Sequence, residues 1–246
     1  MELHHRLLRT AAGIGALTPL GYWLPSASIV SAPLRRLFRV RATIDRPDAV
    51  ALTFDDGPHR EGTPAVLEAL AEANVHATFF LVGEQVERMP QLAAQISAAG
   101  HEIGVHCHRH RNLMRLTPRQ VRADLDRAAA VIRDATGREP RVYRPPYGIL
   151  TAPALAYARR ARWDIVLWRR DGKDWQARAT AQSIAGKITR RLRPGDVVLL
   201  HDADHYSAPR SWEAAAGAVE LLLRELRRRG LRTAALAEMS PEPVSR

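Results

Sequence analysis

The chain has 246 residues, 46% of them hydrophobic, enough for one sizeable core, and its single cysteine, Cys107, excludes an intrachain disulfide. A formal net charge of +11, carried mostly by arginine, favours anionic surroundings. The basic residues are nevertheless scattered over predicted helix faces, with no zinc-finger spacing, recognition helix or aromatic-rich RNA motif, so no nucleic-acid partner is expected.

From Thr10 to Leu34 no residue is charged, with Arg6 and Arg9 before this stretch and Arg35 and Arg36 after it. Two readings stand side by side. The length suits a spanning helix or membrane anchor, whereas Pro19, Pro25, Pro33 and three glycines interrupt a continuous helix and favour an apolar arm packed on the catalytic domain. Basic residues flank both ends, so the positive-inside rule gives no orientation. The expected division is an N-terminal segment over 1–48, a catalytic domain over 49–240 and a tail over 241–246.

Beyond Asp48, β-branched and aromatic runs predict strands at Val50–Phe54, His76–Val82, Glu102–His106, Arg141–Arg144, Asp164–Trp168, Asp196–His201 and Arg232–Leu236. Helical spacing occupies the stretches between them, including Thr63–Ala73 and Glu87–Ala99. Another helix opens at Thr117-Pro118-Arg119-Gln120, where threonine caps, proline takes the first turn and glutamine closes a capping box, and it ends at Gly137. Seven strands alternating with six helices predict an α/β fold built on a parallel sheet, open or closed.

Five polar clusters fall at or just beyond the C-terminal ends of these strands, the face on which parallel barrels assemble active sites. The first is Thr53-Phe54-Asp55-Asp56-Gly57-Pro58, whose adjacent carboxylates serve either as a surface turn or as a base beside a cation ligand. The second, Gly104 to Leu113, holds His106 and His110 four apart, which one helical turn would bring to one side while His108 points elsewhere. Two imidazoles and a carboxylate with an open position form the ligand set of a catalytic divalent ion, with Zn2+ first and Co2+, Mn2+ or Ni2+ also fitting. The remaining clusters are Arg144-Pro145-Pro146-Tyr147-Gly148, Asp171-Gly172-Lys173-Asp174-Trp175 and Leu199-Leu200-His201-Asp202.

In this order the motifs resemble those of polysaccharide deacetylases with a NodB-homology domain, carbohydrate esterase family 4, over Ala49 to Leu236. The resemblance implies a distorted, incomplete (β/α) barrel and a metal-dependent hydrolase that removes N-acetyl groups from an N-acetylglucosamine polysaccharide, peptidoglycan or chitin-like, releasing acetate at the cell envelope. It makes Asp55 the general base, Asp56, His106 and His110 the metal ligands, and His201 the general acid. Arg144 would orient the base, and the Tyr147 amide would contribute to the oxyanion hole. Asp171, with Asp174 in reserve, would tune the histidine, while Trp175 and Leu199 would line the substrate and acetyl pockets. Cys107 departs from the family's usual serine or threonine, which puts the strength of metal binding in question. The segment Ala203 to Trp212, with His205, Tyr206 and Pro209, is a candidate lid or subsite. Competing readings are an O-acetyl polysaccharide esterase, a non-catalytic carbohydrate-binding barrel and a basic protein that binds membrane or nucleic acid as its main role.

Overall fold

A computed structural model describes residues 19–236; residues 1–18, and with them the start of the apolar stretch, lie outside it, as does the 241–246 tail. In chain order the helices are α1 (Pro19–Trp23), α2 (Ala32–Leu37), α3 (Gly62–Glu72), α4 (Gly83–Arg88), α5 (Pro90–Ala98), α6 (Pro118–Thr136), α7 (Ala152–Arg160), α8 (Ala181–Thr189) and α9 (Ser211–Arg228). The strands are β1 (Val40–Arg41), β2 (Ala49–Asp55), β3 (Thr78–Val82), β4 (Glu102–Cys107), β5 (Val142–Tyr143), β6 (Asp164–Val166), β7 (Arg170–Asp171), β8 (Val197–His201) and β9 (Arg232–Thr233).

The strands pair in parallel in the order β1-β6-β5-β4-β3-β2-β8-β7, with β9 also on β2. An isolated antiparallel bridge between Thr43 and Asp196, with the Ile44 N–H donating to the Gly195 carbonyl at 2.8 Å, ties the chain after β1 to the start of β8. The result is the distorted, incomplete barrel that the motif order implies. All seven predicted strands are present; β1 and β7 are additional, each two residues long and too short to leave a periodicity. The sheet therefore starts at Val40, upstream of the expected boundary at Ala49.

The period of two along the strands separates the two sides of the sheet. Val50, Leu52 and Phe54 of β2 join the large core beneath the helices, whereas Ala49 and Ala51 face a smaller cluster with Phe80, Val142, Val166 and Val197. Continuing the alternation puts Asp55 on the second, interior face. In β8, Val198 and Leu200 likewise enter the outer core, which leaves Leu199 and His201 on the inner one. Asp55 and His201 are register neighbours on adjacent strands. Alternation and register together deliver the polar clusters to one place.

The helices follow their local chemistry. α6 carries the full Thr117–Gln120 capping box and ends at Gly137, whose φ of 67° is a left-handed cap. The helix expected over Glu87–Ala99 is instead two, α4 and α5, because Met89 precedes Pro90 and leaves helical geometry at φ −137°, ψ 58°. Residues 19–34 form α1, a 3-10 turn over Leu24–Ile29 and the first residues of α2, each broken near a proline. They make contacts with α7. Among the described residues no helix is long and apolar enough to cross a membrane.

Candidate active site

Asp55 ends β2 and is buried, and its Oδ1 accepts from Arg144 Nη1 at 2.8 Å. Arg144 is fully enclosed: it also donates to Thr53 Oγ1 at 2.8 Å and to the Val166 and Leu167 carbonyls at 3.0 and 3.3 Å, and lies 4.2 Å from the Phe80 ring centroid. A buried cation with this many acceptors is held rigidly, and it fixes the carboxylate that it faces.

Asp56 does not continue the strand. Its φ of 78° turns it out of the extended line, so the adjacent carboxylates separate by a left-handed residue as well as by strand alternation. The turn needs Gly57, because a Cβ there would run into the Asp202 carboxylate. Asp202 in turn accepts a short hydrogen bond from Thr63 at the start of α3.

Asp56 Oδ1 lies 3.4 Å from both His106 Nε2 and His110 Nε2, yet it is buried without a hydrogen-bond partner. His106 Nδ1 faces the Arg144 carbonyl at 2.7 Å; a carbonyl only accepts, so Nδ1 carries the proton and Nε2 presents its lone pair. Burial pushes the Asp56 carboxyl up to about 7, with His201 opposing and Asp55, Asp202 and Asp174 adding. Burial also holds His106 and His110 down to about 3, as neutral imidazoles. A buried carboxylate with an orphaned oxygen, met by two neutral nitrogens, fits a divalent cation. His106 sits on β4 and His110 in the loop beyond it, so loop geometry rather than a helical turn brings them together. His108 points away, its Nε2 3.9 Å from Glu87. Cys107 is buried and outside the donor group, and burial pushes its thiol well above the ordinary value, which keeps it protonated and unreactive.

His201 closes the site from β8. Asp174 accepts its backbone N–H at 2.7 Å and lies 3.0 Å from Nδ1. Burial alone would lower this imidazole; the charge and hydrogen bond of Asp174, with Asp56 and Asp55, outweigh it and raise His201 to about 10. The residue expected to do this was Asp171, with Asp174 second. In the structure Asp171, on β7, pairs in register with Leu199 of β8, and Asp174 is the carboxylate on the histidine.

Trp175 meets His201 edge-on at 5.6 Å between centroids, and with Tyr147, Trp168 and Leu199 it lines a cavity of about 310 Å³ over the polar groups. Tyr147 is exposed and, like Asp56, left-handed, at φ 59°. Tyr206 and Ser207, from the segment read as a lid or subsite, also line the cavity. The Tyr206 ring stacks on His110 at 4.3 Å and 14°, while its hydroxyl donates to Glu84 at 2.8 Å. His110 Nδ1 has no hydrogen-bond partner, so aromatic packing by Tyr206 and Tyr147 orients this imidazole. No sequence motif marks Tyr206; only its place in a loop after the β8 histidine pointed toward it. A second His/Asp group, His59, Asp204 and His205, lies beside the site. His59 Nδ1 accepts the Gly62 N–H at 2.9 Å, so Nε2 bears the proton and faces Asp204 Oδ1 at 3.2 Å: a structural hydrogen bond.

A parallel half-barrel that carries paired carboxylates, a three-donor cation site and a carboxylate-held histidine at its strand ends has the architecture of a metal-dependent hydrolase. Residues 43–166 match the family model described as Polysaccharide deacetylase. The chain is 37% identical to a chitooligosaccharide deacetylase of Bradyrhizobium sp. over 80% of this chain and 93% of that protein. It is 34% identical to a peptidoglycan-N-acetylglucosamine deacetylase of Bacillus cereus over 77% and 67%. The crystal structure of the Bc1960 peptidoglycan N-acetylglucosamine deacetylase, solved with a hydroxamate-type benzamide, superposes with a TM-score of 0.79 at 30% identity, covering 85% of this chain and 96% of that one. The chain belongs to the polysaccharide deacetylase family, carbohydrate esterase family 4.

Proposed function

We infer that this protein is a metal-dependent N-deacetylase of N-acetylglucosamine polysaccharides, peptidoglycan or chitin-like chains, acting at the cell envelope. The observation that carries the reading is the convergence, on one cavity, of an arginine-held carboxylate, an aspartate-held histidine and a three-donor cation site. The named relatives act on peptidoglycan and chitooligosaccharides, which supports the substrate class.

Asp56, His106 and His110 would hold the ion, and their nitrogen and oxygen donors suit Zn2+ first. When bound, the ion supplies a Lewis acid that polarises the acetyl carbonyl and acidifies the attacking water. Asp55 spends Oδ1 on Arg144, which leaves Oδ2 to take the proton from that water. The Tyr147 backbone amide donates to the oxygen on which negative charge develops. His201, protonated at neutral pH by its carboxylate partner, gives its proton to the departing amine. Trp175 offers a flat face to a sugar ring, and Leu199 walls the space for the acetyl methyl.

The test is acetate release by the metal-loaded protein from N-acetylglucosamine oligomers, peptidoglycan and acetyl-xylan, with Asp55→Asn as control. Release from the amide substrates that disappears in the variant supports the reading; release from acetyl-xylan alone moves it to an O-acetyl esterase. No release from any, with metal bound and the fold intact, rejects catalysis on these substrates.

A further inference from the structure

Seven large hydrophobic side chains are exposed among the described residues, and five of them, Trp23, Leu24, Ile29, Val30 and Leu37, fall within the arm formed by α1, the 3-10 turn and α2. The other two are not elsewhere. Met114 lies near Leu116, whose carbonyl accepts the Tyr22 hydroxyl, and Tyr147 adjoins Gly148, where a Cβ would meet the Ile29 side chain. The arm is thus tied to the rim of the cavity, through Ile29 beside Gly148 and its neighbour Tyr147. The arm is held loosely from below: α2 buries no residue, and the 3-10 turn buries only Pro25 and Ser28. Five large apolar side chains exposed within residues 23–37, Val30 at 82% and Leu37 at 64%, are a local concentration of the kind that marks an interaction site.

Charge selects the occupant. No acidic residue occurs between Leu3 and Ile44, while Arg36 and Arg39 are exposed beside the patch and Arg35 holds the turn through the Ser28 carbonyl at 2.9 Å. A second copy docked here face to face would oppose like charges with no carboxylate to pair them, and the first nine residues add Arg6 and Arg9 against the single acid Glu2, so the N-terminal region as a whole is basic. An anionic lipid surface satisfies both features, taking the apolar side chains into its interfacial region and the arginines at its headgroups.

We propose that the face formed by Trp23, Leu24, Ile29, Val30 and Leu37, flanked by Arg36 and Arg39, docks on an anionic membrane surface and sets the cavity beside it. Lipid binding does not depend on the catalytic reading. The consequence that the enzyme works on the membrane-proximal part of its polymer does rest on it.

The experiment is co-sedimentation of the full chain with vesicles of phosphatidylglycerol and phosphatidylcholine, against phosphatidylcholine alone. Wild type, Val30→Asp/Leu37→Asp and Arg36→Glu/Arg39→Glu are compared, with thermal melts to establish folding. Docking predicts binding to the anionic vesicles that weakens with salt, falls at least about tenfold in the apolar pair and by about fivefold or more for each arginine removed. Turnover of a soluble oligomer stays unchanged. Absence of vesicle binding, binding that both folded variants retain, or a concentration-dependent dimer abolished by the apolar pair would each overturn the proposal. Asp55→Asn binding vesicles as wild type does separates docking from catalysis.

Discussion

The strand ends that form the site and the arm over residues 19–37 are both adjacent to apolar sequence, and the molecule treats them in opposite ways. At the strand ends, charged groups are buried and most are answered: Arg144 by Asp55, Thr53 and two carbonyls, and His201 by Asp174. Of the atoms left unanswered there, Asp56 Oδ1 is where a cation fits. In the arm, apolar groups stand in solvent and few are buried. Burial cost explains the contrast, since a polar group leaves water only with a partner, whereas an apolar group left in water stabilises whatever later covers it.

Substitutions that break this contrast should act in graded order. Asp55→Asn or His201→Ala should lower kcat by about 10²–10⁴-fold, read as acetate release from protein that circular dichroism shows to be folded; each also leaves a buried partner, Arg144 or Asp174, uncompensated, so calorimetry should show a lowered melting temperature. Arg144→Met strands a buried carboxylate and should cost about 3–5 kcal/mol in denaturant unfolding, along with activity. Tyr206→Ala removes the ring on His110 and should weaken metal affinity about 10–100-fold in chelator competition, while Tyr206→Phe, which keeps the stack and loses only the Glu84 bond, should lose less.

Asp174→Asn sharpens the comparison through pH. His201 is raised to about 10 from an ordinary 6.5 partly by Asp174, so losing that carboxylate lowers it, and the acid is deprotonated at lower pH. The alkaline limb of kcat/KM should therefore move downward, and an unmoved limb would assign it to another group. The smallest effect belongs to the arm: Val30→Ser should change unfolding free energy by no more than about 0.5 kcal/mol, because its side chain leaves little water behind on folding.

Much of this was written locally. Alternation in β2 and β8 set which side each residue takes, the Thr117–Gln120 box began α6, and the five motif clusters named the residues around the cavity other than Trp168, Tyr206 and Ser207. Local sequence encodes such features because they depend on neighbours a few residues away. What only the tertiary structure decided were matters of register and approach. Asp174 rather than Asp171 reaches His201 because β7 aligns Asp171 with Leu199, and the chain must run on before a carboxylate can meet the histidine. His110 joins His106 through a loop whose path a count of four could not supply. Tyr206 reaches His110 from a segment 96 residues on and is anchored by Glu84 and Gln85. Those relations arise only when distant segments pack, because contact between them is set by the whole sheet and not by any stretch of it.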